Sequence, residues 1–234
     1  METIEPQRTS IIDSILKTHK NFVFIGESGS GKTEIALNMA AAMNRASEKE
    51  IHFFDMDQTK PLFRARDRAA NLEDEGVFFH YQSQFLDAPT VVSGVIGCLK
   101  NDKACTLMDV GGGKLGAQMI GQFSRYLGKE NSQIFYIINP FRPWSANVED
   151  IEYTMSQVLG ASRLSATSIV ANPNLGPDTE AKDILTGIEK IREMFPRQEI
   201  KFVCTTEQLR NEVEKNTEIP VFPITINLLP EWFL

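Results

Sequence analysis

Gly26-Glu27-Ser28-Gly29-Ser30-Gly31-Lys32-Thr33 follows the pattern G-x-x-x-x-G-K-[ST]. An apolar run, Phe22-Val23-Phe24-Ile25, precedes it, and Ala36, Leu37, Met39, Ala40 and Met43 follow at helical spacing. A strand that ends in a glycine-rich turn and opens into a helix aims successive backbone N–H groups at one point. The positive end of the helix dipole lies behind them, so the point attracts phosphate. In such a loop Lys32 reaches the β/γ-phosphates and Thr33 holds Mg²⁺. The expected contact set is Gly26, Glu27, Ser28, Gly29, Ser30, Gly31, Lys32, Thr33 and the glutamate at position 34, Glu34.

Two acidic segments supply what a phosphate site lacks. Leu107-Met108-Asp109 ends an apolar run and is followed by Val110-Gly111-Gly112. A carboxylate there can support the Mg²⁺ shell, and Gly112 lets backbone approach a γ-phosphate, which would make the segment a sensor of the third phosphate. Asp55-Met56-Asp57 closes another apolar run. Alternation aims both carboxylates alike. Asp57 is the candidate to position or deprotonate attacking water, or to bind the Mg²⁺ water shell, with Asp55 as its support. Against these stand plainer roles: Asp109 as a helix cap, and Asp55 and Asp57 as a solvated turn. The expected catalytic set is Lys32, Asp57 and Asp109, and the expected metal set Thr33, Asp57 and Asp109.

Short apolar strands alternating with amphipathic helices must carry these loops. A first helix is expected over 8–19, with Ile11, Ile12, Ile15 and Leu16 on one face. Strands are expected at 22–25, 51–55, 76–80, 105–109, 134–138, 168–171, 201–204 and 221–224. Helices are expected after the glycine loop, over 90–99, around Val148–Val158, and along Ile184, Ile188, Ile191 and Phe195. This order predicts right-handed βαβ units in a single α/β domain over 1–234. Its central sheet is mostly parallel with helices on both faces, a P-loop NTPase fold. Ligands of such sheets sit at the carboxyl ends of the strands, where the marked polar residues fall.

Together the glycine loop, Asp55-Met56-Asp57-Gln58 and Asp109-Val110-Gly111-Gly112 resemble the MinD/ParA-type ATPases of the SIMIBI class of P-loop proteins, over roughly residues 20–225. Segments 57–66 and 111–117 look like a subset of bacterial MinD-like ATP-binding proteins. The resemblance implies ATP and Mg²⁺ as cofactors, Asp57 serving the hydrolytic water, Asp109 as the Walker B acid, and Asn172, in Val170-Ala171-Asn172-Pro173, recognising the adenine edge. It also exposes a departure. The family's signature lysine, which reaches the partner subunit's nucleotide, is here Glu27. A carboxylate cannot neutralise phosphate in trans, so hydrolysis is expected to be slow or partner-dependent. Lys114, Arg64 and Arg66 are candidates for the missing cation, each equally readable as a solvated charge or structural ion pair.

Composition narrows the rest. A net charge of −7 disfavours non-specific nucleic-acid binding. Cys98, Cys105 and Cys204 have no metal-cage or C-x-x-C spacing, and Cys105 reads as core. His19, His52 and His80 are dispersed and predict no metal site. The chain shows no leader or long apolar stretch, so a soluble cytoplasmic protein is expected. The end Asn227-Leu228-Leu229-Pro230-Glu231-Trp232-Phe233-Leu234 is too short and Pro-broken for an amphipathic membrane anchor and reads as a segment packed on the core or an apolar partner-docking tail. The stiff loop Asn139-Pro140-Phe141-Arg142-Pro143-Trp144 offers Arg142 to nucleotide, switch or partner, and Trp144 to the same or to the core.

The function expected is a Mg·ATP-driven switch whose segments 57–66 and 109–117 order around ATP and change affinity for a protein partner or a second copy. The alternatives are an ATP-dependent ligase or kinase acting on a small carboxylate metabolite, like the dethiobiotin- and cobyrinate-amidating enzymes, with residues 58–90 shaping a substrate pocket, and a non-catalytic ATP-binding module.

Overall fold

A computed structural model describes residues 5–57, 65, 69–81, 93–145, 147–164 and 167–228, with side chains from residue 11 onward. Among the described residues eight strands form one sheet: β1 (Asn21–Ile25), β2 (Glu50–Asp55), β3 (Phe78–His80), β4 (Ala104–Asp109), β5 (Ser132–Ile138), β6 (Ser168–Ala171), β7 (Ile200–Thr206) and β8 (Val221–Ile224). Their order is β3-β2-β4-β1-β5-β6-β7-β8, and every pairing is parallel. The chain builds outward from β1 in both directions. Connections leave β1 to one side through β2, β3 and β4 and to the other through β5 to β8, so the crevice above β1 is where strand order reverses.

The helices are α1 (Glu5–Thr18), α2 (Lys32–Ala46), α3 (Ala69–Asp74), α4 (Val95–Lys100), α5 (Gly113–Gly121), α6 (Val148–Ser162), α7 (Ala181–Met194) and α8 (Glu207–Lys215). Alternation along the strands divides the core in two. Phe22 and Phe24 of β1 pack with Ile12 and Ile15 of α1 and Ile35, Met39 and Met43 of α2. Val23 and Ile25 face the other way, toward Ala117 and Ile120 of α5, Ile151 of α6, Ile184 and Ile188 of α7 and Val213 of α8. With both faces covered, β1 has no exposed residue, as a central parallel strand requires.

The expected strands are all present. The helix expected over 90–99 is shorter, starting at Val95 after Gly94 in the left-handed region at φ 86°; residues 90–92 lie outside the described set. Helices α3, α5 and α8 had no expectation. α5 opens straight out of the glycine run, and α8 shows few apolar residues, of which Val213 is buried. Among the described residues no helix is long and apolar enough to cross a membrane. The chain's final described residues pack back on the core, with Leu228 half-buried against the α1/α2 layer. Residues 229–234, expected to lack a membrane anchor, lie outside the described set.

Candidate nucleotide site

The loop from Gly26 to Gly31 takes its shape from three left-handed glycines, Gly26 at φ 138°, Gly29 at 75° and Gly31 at 96°. A side chain at Gly26 would stand 2.6 Å from the Ile137 carbonyl of the neighbouring strand. Gly31 is the N-cap of α2 and offers no side chain to the helix's first N–H groups, which leaves them for an outside acceptor. Lys32 and Thr33 follow in the first turn, both buried. The Lys32 ammonium donates to the Glu27 carbonyl at 2.7 Å, folding across the loop it belongs to. The Ser30 hydroxyl is buried without a hydrogen-bond partner, beside Gly26. An uncapped helix N-terminus, a buried cation and an unused hydroxyl fit a phosphate chain. Thr33, Asp57 and Asp109, each buried, carry hard oxygen donors of the kind Mg²⁺ takes.

Register brings the acids together. Asp55 of β2 pairs with Asp109 of β4, and the Met56 N–H donates to the Asp109 carbonyl at 2.9 Å. The Asp55 carboxylate accepts the Asp57 N–H at 3.0 Å, which fixes the bend that turns Asp57 toward β4. Asp55, Asp57 and Asp109 are all buried. The second acidic segment is in close contact with its neighbours. A side chain at Gly111 would come within 2.9 Å of the Asp57 carboxylate, and one at Gly112 within 2.9 Å of the Ser28 N–H nitrogen. The Asp109–Gly112 turn therefore touches Asp57 on one side and the glycine loop on the other.

Glu27 keeps its charge inside the loop, where its carboxylate accepts the Ser28 N–H at 3.2 Å. Burial first, and the Glu27 charge second, push the Tyr136 phenol on adjacent β5 above its ordinary range. Lys114 stands exposed at the start of α5. Arg64 and Arg66 lie outside the described residues.

Asn172, at the end of β6, donates its side-chain amide to the Ser30 carbonyl at 2.8 Å, and a side chain at Gly31 would collide with that same amide. Asn172 also lines a cleft of about 400 Å³ bounded by Pro173, Thr205, Glu207 and Thr225, where the Thr205 hydroxyl is buried without a hydrogen-bond partner. The 139–145 loop grips the glycine loop from above. The Trp144 indole donates to the Ser28 carbonyl at 2.8 Å and the Arg142 guanidinium to the Gly29 carbonyl at 3.3 Å. Buried Asn139 shapes this strap by accepting the Phe141 N–H at 3.1 Å and donating to the Asn174 carbonyl at 2.8 Å.

The structure adds to two expectations. The Glu34 side chain is turned toward the chain's end: its carboxylate accepts the Asn227 N–H and side-chain amide, each at 2.8 Å, and the Leu228 N–H at 3.0 Å. A contact of residue 34 with phosphate would therefore run through its backbone N–H in the first turn of α2. The histidines are also not dispersed in space. Pairing of β2 with β3 sets Phe54 opposite His80, and the His52 Nδ1 and His80 Nε2 atoms approach to 2.9 Å. The sequence leaves Arg142 and Trp144 open between several roles; the two prolines that hold their loop in one shape are the signal of the strap, and nothing in the sequence marks the buried Asn139 at its start.

Comparison with known proteins agrees with this geometry. The family pattern described as the CobQ/CobB/MinD/ParA nucleotide binding domain (CbiA) matches residues 22–219. No curated protein matches the sequence. Among solved structures, the cell division protein FtsY of Thermotoga maritima aligns at TM-score 0.52 and 17% identity, over 86% of this chain and 69% of its own. Chloroplast FtsY of Physcomitrella patens aligns at TM-score 0.53 and 11% identity, over 84% of this chain and 65% of its own. At those identities the likeness concerns the fold, and the chain spans about two thirds of each structure's length.

Proposed function

Because the chain belongs to the CobQ/CobB/MinD/ParA nucleotide-binding family, a SIMIBI P-loop NTPase domain, we propose that it is a Mg·ATP-dependent ATPase. Its hydrolysis cycle would switch affinity for a protein partner or a second copy of itself. The observation that carries the reading is the contact of three segments at the ends of β1, β2 and β4, with Asp57 against Gly111 and Gly112 against Ser28. Adding or losing one phosphate beneath Ser28 must displace the Asp109–Gly112 turn and, through Gly111, Asp57. A nucleotide's terminal phosphate is thereby linked to both acidic segments, as a switch needs.

In this reading the uncapped α2 N-terminus binds the phosphates, and Lys32 leaves the Glu27 carbonyl to neutralise them. Thr33 and Asp109 would hold the metal, whose charge would offset that of the terminal phosphates. Asp57, oriented by the backbone it shares with Asp55, positions the attacking water. Asn172 holds the glycine loop and forms one wall of the cleft that would take the base. Glu27 adds negative charge where the reaction wants positive. Turnover alone is therefore slow, and a cation from a partner or from Lys114 would raise it by ~10³-fold or more.

The test is phosphate release by purified protein with Mg·ATP and with Mg·GTP, beside Asp57→Asn and Lys32→Ala. Expected is ATP-preferring release that disappears in Asp57→Asn while nucleotide affinity stays within about threefold. Lys32→Ala should lose tight nucleotide binding. Unchanged ATP affinity in Lys32→Ala would overturn the site assignment. Release at full rate in Asp57→Asn would remove Asp57 from the chemistry, and a preference for GTP would reassign the nucleotide.

A further inference from the structure

The outer edge of the sheet gathers three side chains whose chemistry the nucleotide cycle does not use. His52 of β2 and His80 of β3 project from the same face, because the pairing His52↔Phe78 and Phe54↔His80 sets them two residues apart along adjacent strands. Their rings stack with centroids 5.2 Å apart and planes 14° apart. Phe54 and Phe78 close the stack, Phe54 at 4.4 Å from the His80 ring and Phe78 at 4.9 Å from the His52 ring. From α4 above, Cys98 points at the pair. One ligand atom from each of His52, His80 and Cys98 lies within 4.8 Å of the other two, and all three side chains are half-buried.

We propose that His52, His80 and Cys98 form a binding site for a divalent cation of the zinc class. Two imidazole nitrogens and one sulfur are the donor set such a borderline ion takes, with water filling the fourth position. Zinc bonds of about 2.0–2.3 Å place tetrahedral ligand atoms ~3.3–3.8 Å apart, so closing on an ion asks for movements of about 1 Å. The present contact between His52 Nδ1 and His80 Nε2 needs one shared proton between two lone pairs. The cation takes that proton's place and satisfies both nitrogens at once, the proton moving to the far nitrogen of the ring that carried it. The far nitrogen of His52, Nε2, faces the Glu50 carboxylate at 3.7 Å. A carboxylate behind a ligating imidazole fixes its tautomer and orientation, so Glu50 is a positioning residue here. Binding replaces the Cys98 thiol proton, which leaves to solvent.

The ion would tie three elements that are otherwise joined at one edge: β2, whose end bears Asp55 and Asp57, edge strand β3, and the short helix α4. β3 and α4 are consecutive in the chain, so a ligand on each side closes the connection between them. An edge strand of three residues has little pairing of its own, and a bond through His80 would anchor it.

Metal-stripped, nucleotide-free protein titrated with cobalt(II) tests the proposal, because a cobalt–thiolate bond gives a charge-transfer absorption that nitrogen and oxygen ligands do not. Expected is one equivalent bound, with the thiolate band, displaced by zinc(II), and a thermal midpoint raised by zinc. Cys98→Ser should lose the band and the midpoint shift. His52→Ala and His80→Ala should each weaken binding by about tenfold or more, and Glu50→Gln by a smaller factor. Circular dichroism of each metal-free variant checks folding, with His80→Gln substituting if His80→Ala unfolds. Absence of the band in the wild-type protein, or a band that survives in Cys98→Ser, would overturn the site.

Discussion

The Asn172 side-chain amide and the Ser30 carbonyl meet at 2.8 Å, joining the end of β6 to the phosphate-binding loop. This bond spans two strands and holds the loop at the point where its glycine conformation is most demanding. Gly31, next to it, has φ 96° and no room for a side chain.

Asn172→Ala is expected to weaken ATP and GTP binding alike, by about tenfold. A buried hydrogen bond of this kind contributes about 1–1.5 kcal/mol, and 1.4 kcal/mol is tenfold in affinity. Equal losses for the two nucleotides mark Asn172 as a prop for the loop. A loss confined to ATP would mean that it reads the base. Isothermal titration with both nucleotides separates the two roles.

The strap above the same loop supplies an optical probe. Trp144 is half-exposed and bonded to the Ser28 carbonyl at 2.8 Å, so a phosphate entering beneath Ser28 changes the polarity around its indole. The chain has two tryptophans, and Trp232→Phe removes the other. In that background Mg·ATP should shift the Trp144 emission. Replacing Trp144 itself by Phe keeps the ring and deletes the donor, with an expected loss of about 2- to 10-fold in affinity. Emission that ignores saturating nucleotide would show the strap to be uncoupled from the site.

Much of this site could be read before any coordinates, because its parts are local. Gly26 to Thr33 carries its own conformation in the glycines, and Asp57 and Asp109 each end an apolar run that only a buried parallel strand explains. What could not be read was contact between distant segments. Nothing in the spacing of His52, His80 and Cys98 says that β3 adds beside β2 in a register two residues out of step, or that α4 lies over them. Likewise α5 and α8 were hidden, since Gly113 begins one and Arg210, Glu212 and Glu214 dominate the other. Glu34 is a case of the same kind: it follows Thr33 in the sequence, while the helix turn directs its carboxylate to residues almost the whole chain away.

Glu34 is consequently a stability residue. It accepts the Asn227 N–H, the Asn227 side-chain amide and the Leu228 N–H, and Asn38 beside it exchanges bonds with Thr225 at 2.7 and 2.8 Å. This network fastens the segment after β8 to α2. Glu34→Ala removes the acceptor and leaves several part-buried donors unanswered, at a cost of about 1–3 kcal/mol. Urea denaturation should register that loss, while nucleotide affinity stays within about threefold. The opposite pattern, unchanged stability with lost affinity, would return Glu34 to the phosphate site.

Alkaline pH should weaken the fold through the β4 thiol. Cys105 is buried in the α2-side core with its sulfur 4.0 Å from that of Met43. Burial pushes its thiol up from an ordinary 9.0 to about 12, with the Lys49 charge opposing. The unfolded chain thus loses this proton from pH 9.0 upward, while the native protein holds it to about 12. A raised native value means stability is complete below the unfolded value and is lost as pH climbs through the window between the two. Cys204, also pushed up by burial, adds to the same decline. Cys105→Ala removes one of these protons. Its unfolding free energy should therefore fall less steeply above pH 9, by about 1.4 kcal/mol per pH unit, whatever the substitution costs at neutral pH. Chemical denaturation in a pH series compares the two slopes directly. Parallel slopes for the variant and the parent protein would mean that the thiol ionises no later in the folded state than in the unfolded one.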